Sequence, residues 1–524
     1  MKRSSSLMFG LVLIVAGCVS SEPLISPDRL QVATKQGVVV GGLSDGIRVF
    51  KDIPYAAPPV GRLRWMPPQP PSRWQGRRDA TKFGAACPAF DTTKVAQAKL
   101  MSGLGYDIVL NVPMAGGSSE DCLNLNIWAP ANAKRAPVMV WFNPLGAASN
   151  PLWDGASFAR DGVILVTFDY RQVTLGNFAH PALTKEAKPG QPLGRFQTMD
   201  EIAALHWVKQ NIAAFGGDAG NVTMFGLSAG GASILQILTL PSARGLFDKA
   251  IVESGNGWFS PLSQAEMEEV GSWLASQAGL PGRDATAEQL RALSPDKLPW
   301  FGAYSIDGRL AQDNATTAFA AGRVAEVPLM IGSTDFDGSS LRYGRQAVID
   351  RTRDDVKAAY ASEGKAGDDL AYALYTDSHV GAPARWIASK TETGAPTYLY
   401  LFSYVRSANR GKVRGAAHGD DASYVFDDWA KAYPQLQLSD EDRAATRMMH
   451  SCWVTFAKTG KPQCDGAPDW PRYARADDQL MELGLRPQVR AGFRKQQLDA
   501  QEAAMQDVLD ETRKSVVDLI SGIQ

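Results

Sequence analysis

Residues 221–235, N-V-T-M-F-G-L-S-A-G-G-A-S-I-L, constrain the fold more than any other stretch. A β-prone run at 222–225 enters Gly226-Leu227-Ser228-Ala229-Gly230, and a helix-forming run follows. Strand, sharp turn and helix with a serine at the tip is the nucleophile-elbow pattern G-x-S-x-G. The glycines have a physical reason. The serine's backbone is strained at such a turn and the helix passes close to the strand, so a side chain at either glycine clashes. Taken alone, the pattern also fits a tight βα turn whose serine caps the helix. The rest of the chain must therefore supply a base, an acid and an oxyanion site.

The surrounding segments read as alternating strands and helices. Short apolar strands are expected at 123–128, 138–142, 163–168, 250–253 and 327–332, with an aromatic-rich one at 397–405. A helix is expected at 199–215, with Ile202, Leu205, Val208 and Ile212 on one face and Gly216-Gly217 as its stop. Helices are also expected across 350–388, at 440–458 and at 495–520, and a polar insertion across 261–321. Residues 38–49 read as a hairpin around Ser44-Asp45-Gly46, and the prolines of 50–71 as an extended path without helix. Alternation of this kind predicts βαβ units and a central, mostly parallel sheet with flanking helices; with the elbow at Ser228, the expectation is an α/β-hydrolase fold with helical insertions over the site. With 524 residues, 45% of them hydrophobic, the chain can bury a large core. A net charge of -1 gives nucleic-acid binding no electrostatic support.

The start, M-K-R-S-S-S-L-M-F-G-L-V-L-I-V-A-G-C, has a basic end and an apolar run too short to span a membrane. We expect an export signal at 1–17. Val15-Ala16-Gly17-Cys18 resembles the bacterial lipoprotein box, in which the cysteine is lipidated; ordinary cleavage and release is the competing reading. A tether follows at 18–34, then one domain at 35–524, in the cell envelope or secreted. With Cys18 set aside, Cys87, Cys122, Cys452 and Cys464 remain, an even number that suggests two disulfides. Three pairings are possible, and nearest neighbours give Cys87 with Cys122 and Cys452 with Cys464. None has metal-ligand spacing with histidine, so no metal is expected.

An α/β hydrolase takes its triad in the order nucleophile, acid, base. His180 and His206 precede Ser228 and are out of order. His379 has no strand feeding it, and His450 lies within a helix. His418, in G-A-A-H-G-D-D after the strand at 397–405, is the candidate base. The strand at 327–332 runs into S-T-D-F-D-G, which offers Asp335 or Asp337 as the acid; spacing alone does not choose between them.

The ordered motifs resemble the type-B carboxylesterase family, which includes the cholinesterases and bacterial para-nitrobenzyl esterases. The resemblance covers nearly all of the chain after the signal. It rests on F-K-D-I-P-Y-A-A-P-P-V-G-R-L-R-W at 50–65, E-D-C-L-N-L-N at 120–126, N-I-A-A-F-G-G-D-A-G-N-V-T-M-F-G-L-S-A-G-G at 211–231, G-A-A-H-G-D-D-A-S-Y-V-F at 415–426, F-A-K-T-G at 456–460 and Trp470-Pro471. It implies Ser228 as nucleophile, His418 as base and Asp337 as acid, where the family's G-x-N-x-D-E-G usually has glutamate. It implies the Cys87–Cys122 disulfide, and no organic cofactor.

Two departures stand out. Leu227 replaces the elbow glutamate usual in the family, removing a carboxylate and with it a preference for cationic substrates. Asn143-Pro144-Leu145-Gly146 replaces the family's oxyanion turn H-G-G-G. By position, the donors are the N–H groups of Leu145, Gly146 and Ala229. Leucine does not take glycine's backbone angles cheaply, and losing one donor costs roughly a hundred- to a thousandfold in rate. The expected activity is a serine carboxylic-ester hydrolase acting through an acyl-enzyme on a neutral, fairly apolar small-molecule ester. The alternative is a catalytically impaired or non-catalytic binding protein on the same fold.

Overall fold

The computed structural model describes residues 27–88, 101–102, 104–106, 115–144, 147–341 and 344–521. The expected signal, Cys18, the first half of the tether and the candidate donors Leu145 and Gly146 lie outside the described residues.

Eleven strands form one sheet. The hairpin read at 38–49 contributes β1 (Gly42–Ser44) and β2 (Ile47–Pro54), turning at Asp45 and Gly46, both with positive φ. The apolar runs become β3 (Asn124–Pro130), β4 (Ala136–Phe142), β5 (Ile164–Phe168), β6 (Gly217–Leu227), β7 (Lys249–Glu253), β8 (Leu329–Thr334) and β9 (Thr397–Phe402). Two more, β10 (Gln479–Leu483) and β11 (Gln488–Ala491), close the other edge. Across the sheet the order is β11-β10-β9-β8-β7-β6-β4-β5-β3-β2-β1. All neighbours from β10 to β5 are parallel, and the pairs at either end are antiparallel. Every residue of β5, β7, β8 and β9 is buried. Helices cover both faces, so these strands read as continuous apolar runs and not as alternation.

The helix α1 (Phe196–Asn211) buries Ile202, Leu205 and Val208, and a 3-10 turn carries Ile212 into the same core. It ends at Gly216 with φ 90°, where a Cβ would lie 2.4 Å from the Ala133 carbonyl oxygen. After β6 comes α2 (Ala229–Ile237). The insertion holds the helices Gln264–Gln277, Ala287–Arg291 and Ala315–Ala320 and a short pairing of Leu262–Ser263 with Ser305–Ile306. Further on are α3 (Gly367–Thr376) and α4 (Ala382–Thr391), joined by a wide π turn, Asp377–Gly381. Then follow α5 (Asp420–Phe426) and α6 (Asp440–Thr459). A Ser439/Asp442 capping box starts α6 and Gly460, φ 77°, ends it.

Three expectations change. The C-terminal helix is two, α7 (Lys495–Ala503) and α8 (Met505–Ser521); no glycine or proline marks the break. The proline-rich path contains a 3-10 turn, Gly61–Leu63. A small sheet of Gln31–Ala33, Val38–Val40 and Arg77–Asp79 stands apart from the main one; it takes Val38–Val40 out of the hairpin read at 38–49, and its other two strands are too short and polar to announce themselves.

Two of the sequence motifs meet for structural reasons. Arg64, from the proline-rich segment, donates to Glu120 of E-D-C-L through Nε at 2.6 Å and also through Nη2, and the pair is largely buried. Disulfides join Cys87 to Cys122 and Cys452 to Cys464.

Candidate active site

The carboxyl ends of the parallel strands bring the candidate residues to one edge of the sheet. The strand β6 ends at Leu227 and α2 begins at Ala229, which leaves Ser228 as the single residue between them. Its backbone has φ 54° and ψ -116°, a sparsely populated conformation for a residue with a side chain. Its N–H donates to the Glu253 carbonyl at the end of β7 (2.8 Å), and its carbonyl accepts from Ala232 (2.8 Å). The flanking glycines leave no room: a Cβ on Gly230 would lie 1.9 Å from the Phe142 carbonyl oxygen, and one on Gly226 2.8 Å from the same atom. The start of α2 therefore sits directly on the end of β4.

Beyond β8, the chain turns at Asp335, Phe336 and Asp337. Beyond β9, a longer loop brings back Ala416, Ala417 and His418. The two loops run side by side, with Phe336 and Ala417 forming a parallel bridge and the Phe336 N–H donating to the Ala416 carbonyl (3.1 Å). His418 Nδ1 lies 2.6 Å from Asp337 Oδ1. Asp337 is fully buried, and its other oxygen accepts from the Thr334 N–H (2.9 Å) and the Ser254 hydroxyl (3.0 Å). The Ser339 hydroxyl accepts from the His418 N–H (2.8 Å). Asp335 does a different job: its Oδ1 accepts from the Ala416 N–H at 2.6 Å and so holds the histidine loop. Asp337 thus lies on the imidazole and Asp335 on the backbone beneath it.

Burial alone pulls the His418 imidazolium down, but the hydrogen bond and charge of Asp337, helped by Asp421 and Asp420, outweigh it and raise the pKa above the ordinary value. Ser228 and His418 keep some exposure while Asp337 has none. The arrangement therefore offers a reachable hydroxyl and a reachable imidazole, with a buried carboxylate behind the imidazole.

The other histidines are occupied elsewhere. His180 caps a helix through Nδ1 and meets the Gly282 carbonyl through Nε2. His206 is exposed on α1. His379 stacks on Tyr375, with ring centres 3.8 Å apart. His450 meets the Val425 carbonyl (2.6 Å) and Asp161 (3.2 Å).

Sequence reading did not find Ser254 or Ser339, the two hydroxyls that hold the acid and the histidine backbone. Ser254 follows β7 and has φ 47°, a second strained turn beside the elbow. No pattern in the chain marks either serine. Nor did it find Glu253, fully buried, whose Oε1 accepts from Trp453 Nε1 (2.7 Å). Among the described residues no group of three or more histidine, cysteine or acidic side chains has the arrangement of a metal site.

A strained serine between strand and helix, with an aspartate–histidine pair on the loops that follow two further strands of the same parallel sheet, defines the α/β-hydrolase fold. Comparison with known proteins narrows this. The carboxylesterase family model matches residues 28–362 and 344–501, and the chain belongs to that family. It is 34% identical to the para-nitrobenzyl esterase of Bacillus subtilis (strain 168) over 473 residues, 84% of this chain and 92% of that protein. It is 31% identical to the fumonisin B1 esterase of Sphingopyxis macrogoltabida over 520 residues, 91% of this chain and 90% of that one. Among solved structures, a para-nitrobenzyl esterase superposes with a TM-score of 0.75 at 28% identity, covering 90% of this chain and 100% of its own. The protein is a carboxylic-ester hydrolase of the serine type. Two disulfides and the lack, among the described residues, of a helix able to cross a membrane are compatible with export.

Proposed function

We propose that Ser228 is the nucleophile, His418 the general base and Asp337 the acid that orients it. Ser228 Oγ attacks the ester carbonyl as His418 takes its proton. Asp337, on the far ring nitrogen, keeps the imidazole in the right tautomer and stabilises the imidazolium. His418 then protonates the leaving alcohol and activates water to cleave the acyl-enzyme. The observation that carries this reading is the 2.6 Å contact of His418 with Asp337 on a loop pair bridged at Phe336 and Ala417. A fluorophosphonate probe is expected to label the wild type and not Ser228→Ala, and hydrolysis is expected to fall about a millionfold in that variant. Absence of labelling in folded wild type sinks the proposal.

The developing oxyanion is assigned to the N–H groups of Ala229, Gly146 and Leu145. The start of α2, with its unpaired N–H groups and positive dipole end, favours this charge. Leu145→Gly tests the turn against p-nitrophenyl esters of rising acyl length. A strong rise in rate means the leucine impairs the hole for simple esters; a fall means it shapes a substrate-specific pocket. We assign a neutral, fairly apolar ester, because Leu227, buried beneath the elbow, stands where a carboxylate would favour cations.

The chain is further proposed to carry a signal at 1–17, a lipid on Cys18, a tether at 18–34 and the catalytic domain at 35–524, with membrane contact only through the lipid. Labelled palmitate is expected to mark the wild type and not Cys18→Ala.

A further inference from the structure

Behind the loop that carries Asp337 lies a cavity of about 450 Å³, and neither Ser228 nor His418 lines it. Its size is in the range that holds a small organic molecule. It sits at the carboxyl end of β8, against the face of the sheet that α3, α4 and α7 cover. Alternation along β8 decides which side chains reach it. Leu329, Ile331 and Ser333 share a face with Leu399 and Leu401 of β9, whereas Met330 and Thr334 turn to the other face with Tyr400 and Phe402. The Asp335 N–H still donates to the Phe402 carbonyl (2.9 Å). The alternation therefore runs one residue past the strand, and Asp335 follows Ser333 onto the cavity side.

Of the charged side chains that line the cavity, Asp335 alone has no partner of opposite sign among the described residues. Arg385 meets Asp478, Asp499 and Glu502, and Arg494 meets Asp377 and Glu363. Lys365 meets Glu363, and Arg414 meets Asp369. Asp335 is exposed, and the charged groups that act on it from its own loop and from β10, Asp337 and Glu482, are carboxylates too. Its Oδ1 accepts from the Ala416 N–H (2.6 Å), and its second oxygen accepts from no other described residue. Beside it, Ser333 is 5% exposed, and its hydroxyl has no hydrogen-bond partner among the described residues. The Thr334 hydroxyl is sealed, but that of Ser333 keeps accessible surface on the cavity. A hydroxyl this far from bulk water is unfavourable without a partner.

The rest of the wall is apolar, with Phe336, Tyr372, Leu401, Phe493 and Leu498 around the space. We propose that this cavity binds an organic ammonium: an aryl or alkyl body that ends in a cation bearing N–H groups. The ammonium donates to the free oxygen of Asp335 and to the Ser333 hydroxyl, and the body lies against the aromatic and leucine wall. Anionic guests are excluded because every cation is taken. A neutral guest leaves the Asp335 charge unpaired, so charge sets the selectivity. The site does not depend on the roles given to Ser228, Asp337 and His418.

The test is titration calorimetry on the full chain with 2-phenylethylamine, charged at neutral pH, beside its neutral isostere 2-phenylethanol. The amine is expected to fill one saturable site, and the alcohol to bind at least about tenfold more weakly. Asp335→Asn keeps an acceptor for the Ala416 N–H and so keeps the loop. It is expected to weaken the amine about ten- to a hundredfold, the worth of a hydrogen bond to a charged group, and to leave the alcohol unchanged. Ser333→Ala is expected to weaken the amine by roughly fivefold, and Ala373→Trp to abolish its binding by filling the space. No saturable binding of the amine to the wild type overturns the site. Amine binding that both Asp335→Asn and Ala373→Trp leave intact places the amine elsewhere and also overturns it. If the alcohol binds the wild type as tightly as the amine, the assignment of a cationic guest falls.

Discussion

Around Ser228 the backbone is packed so closely that side chains are excluded, whereas Asp337 and His418 sit in a mesh of hydrogen bonds. At the elbow, Gly226 and Gly230 press on Phe142, and Gly231 and Gly255 press on each other across the adjoining turn, where a Cβ on Gly255 would lie 2.8 Å from the Gly231 carbonyl carbon. Around Asp337 and His418, Thr334, Ser254, Ser339 and Asp335 each supply a donor or acceptor to the pair or its backbone. One region holds its functional atom through shape and the other through polar pairing. Shape tolerates almost no substitution. Pairing tolerates any replacement that keeps the bond.

The largest effect that sharpens the contrast is expected at Asp337. Asp337→Asn keeps size but presents the wrong partner to the imidazole N–H, and kcat is expected to drop about ten-thousandfold, measured on a p-nitrophenyl ester. At the elbow, Gly230→Ala adds only one methyl group, yet it must displace the Phe142 carbonyl or the start of α2. A displacement of the reacting atoms by about 1 Å costs on the order of a hundredfold, and overpacking removes about 1–3 kcal/mol of stability. If Gly230→Ala keeps full activity and melting temperature, the elbow is not held by shape.

Asp335 gives a smaller and more discriminating effect. Its residue is exposed, and its visible task is to accept one backbone N–H. Asp335→Asn retains an acceptor, so activity is expected to stay within about tenfold of wild type; Asp335→Ala leaves the buried Ala416 N–H unpaired and is expected to lose about 1–3 kcal/mol by denaturant unfolding. A loss in Asp335→Asn as deep as that of Asp337→Asn would mean the acid has been assigned to the wrong aspartate.

The same contrast explains what was legible in the chain. Steric exclusion leaves a trace in one place, because small residues must fall at fixed offsets, and Gly226, Ser228 and Gly230 announce the elbow. Burial on both faces leaves a trace too, and β5, β7 and β8 were found as apolar runs. Polar pairing assembled from three separate segments leaves none. Ser254 and Ser339 are ordinary serines until β7, β8 and the histidine loop meet, and residue type alone leaves Asp335 and Asp337 equal. Position within the family motif favours Asp337, and chain order singles out His418. The edge strands β10 and β11, at the end of the sheet and partly exposed, carry mixed side chains and were not read.

The smallest effect concerns a charge that neither region touches directly. Asp421 lies three residues after His418, in the first turn of α5, fully buried. Its carboxylate accepts from Tyr400 Oη (3.2 Å) and from the Ala422 N–H (3.1 Å). Burial, then the nearby Asp337 charge, push its pKa up to about 7, while His418 works the other way. Glu253 faces it from β7 and is itself held well above the usual carboxylate range, first by burial and then by Asp421. Asp420 stands beside it, pushed by burial to about 7. Near neutral pH, Asp421 is therefore partly ionised, and the ionised fraction helps to hold a proton on His418. A base must be neutral to act, so the acid limb of kcat/KM follows the His418 pKa. Asp421→Asn removes one raising influence, which moves that limb to lower pH and leaves the plateau rate near wild type. The check is a kcat/KM profile on a p-nitrophenyl ester from pH 5 to 9, beside Glu253→Gln. The glutamine replaces a carboxyl that is itself held protonated well above the usual range, so it removes no charge near His418 and the limb is expected to stay at its wild-type position. A shift in Glu253→Gln as large as that in Asp421→Asn would show that the buried carboxyls act on packing and not through their charge.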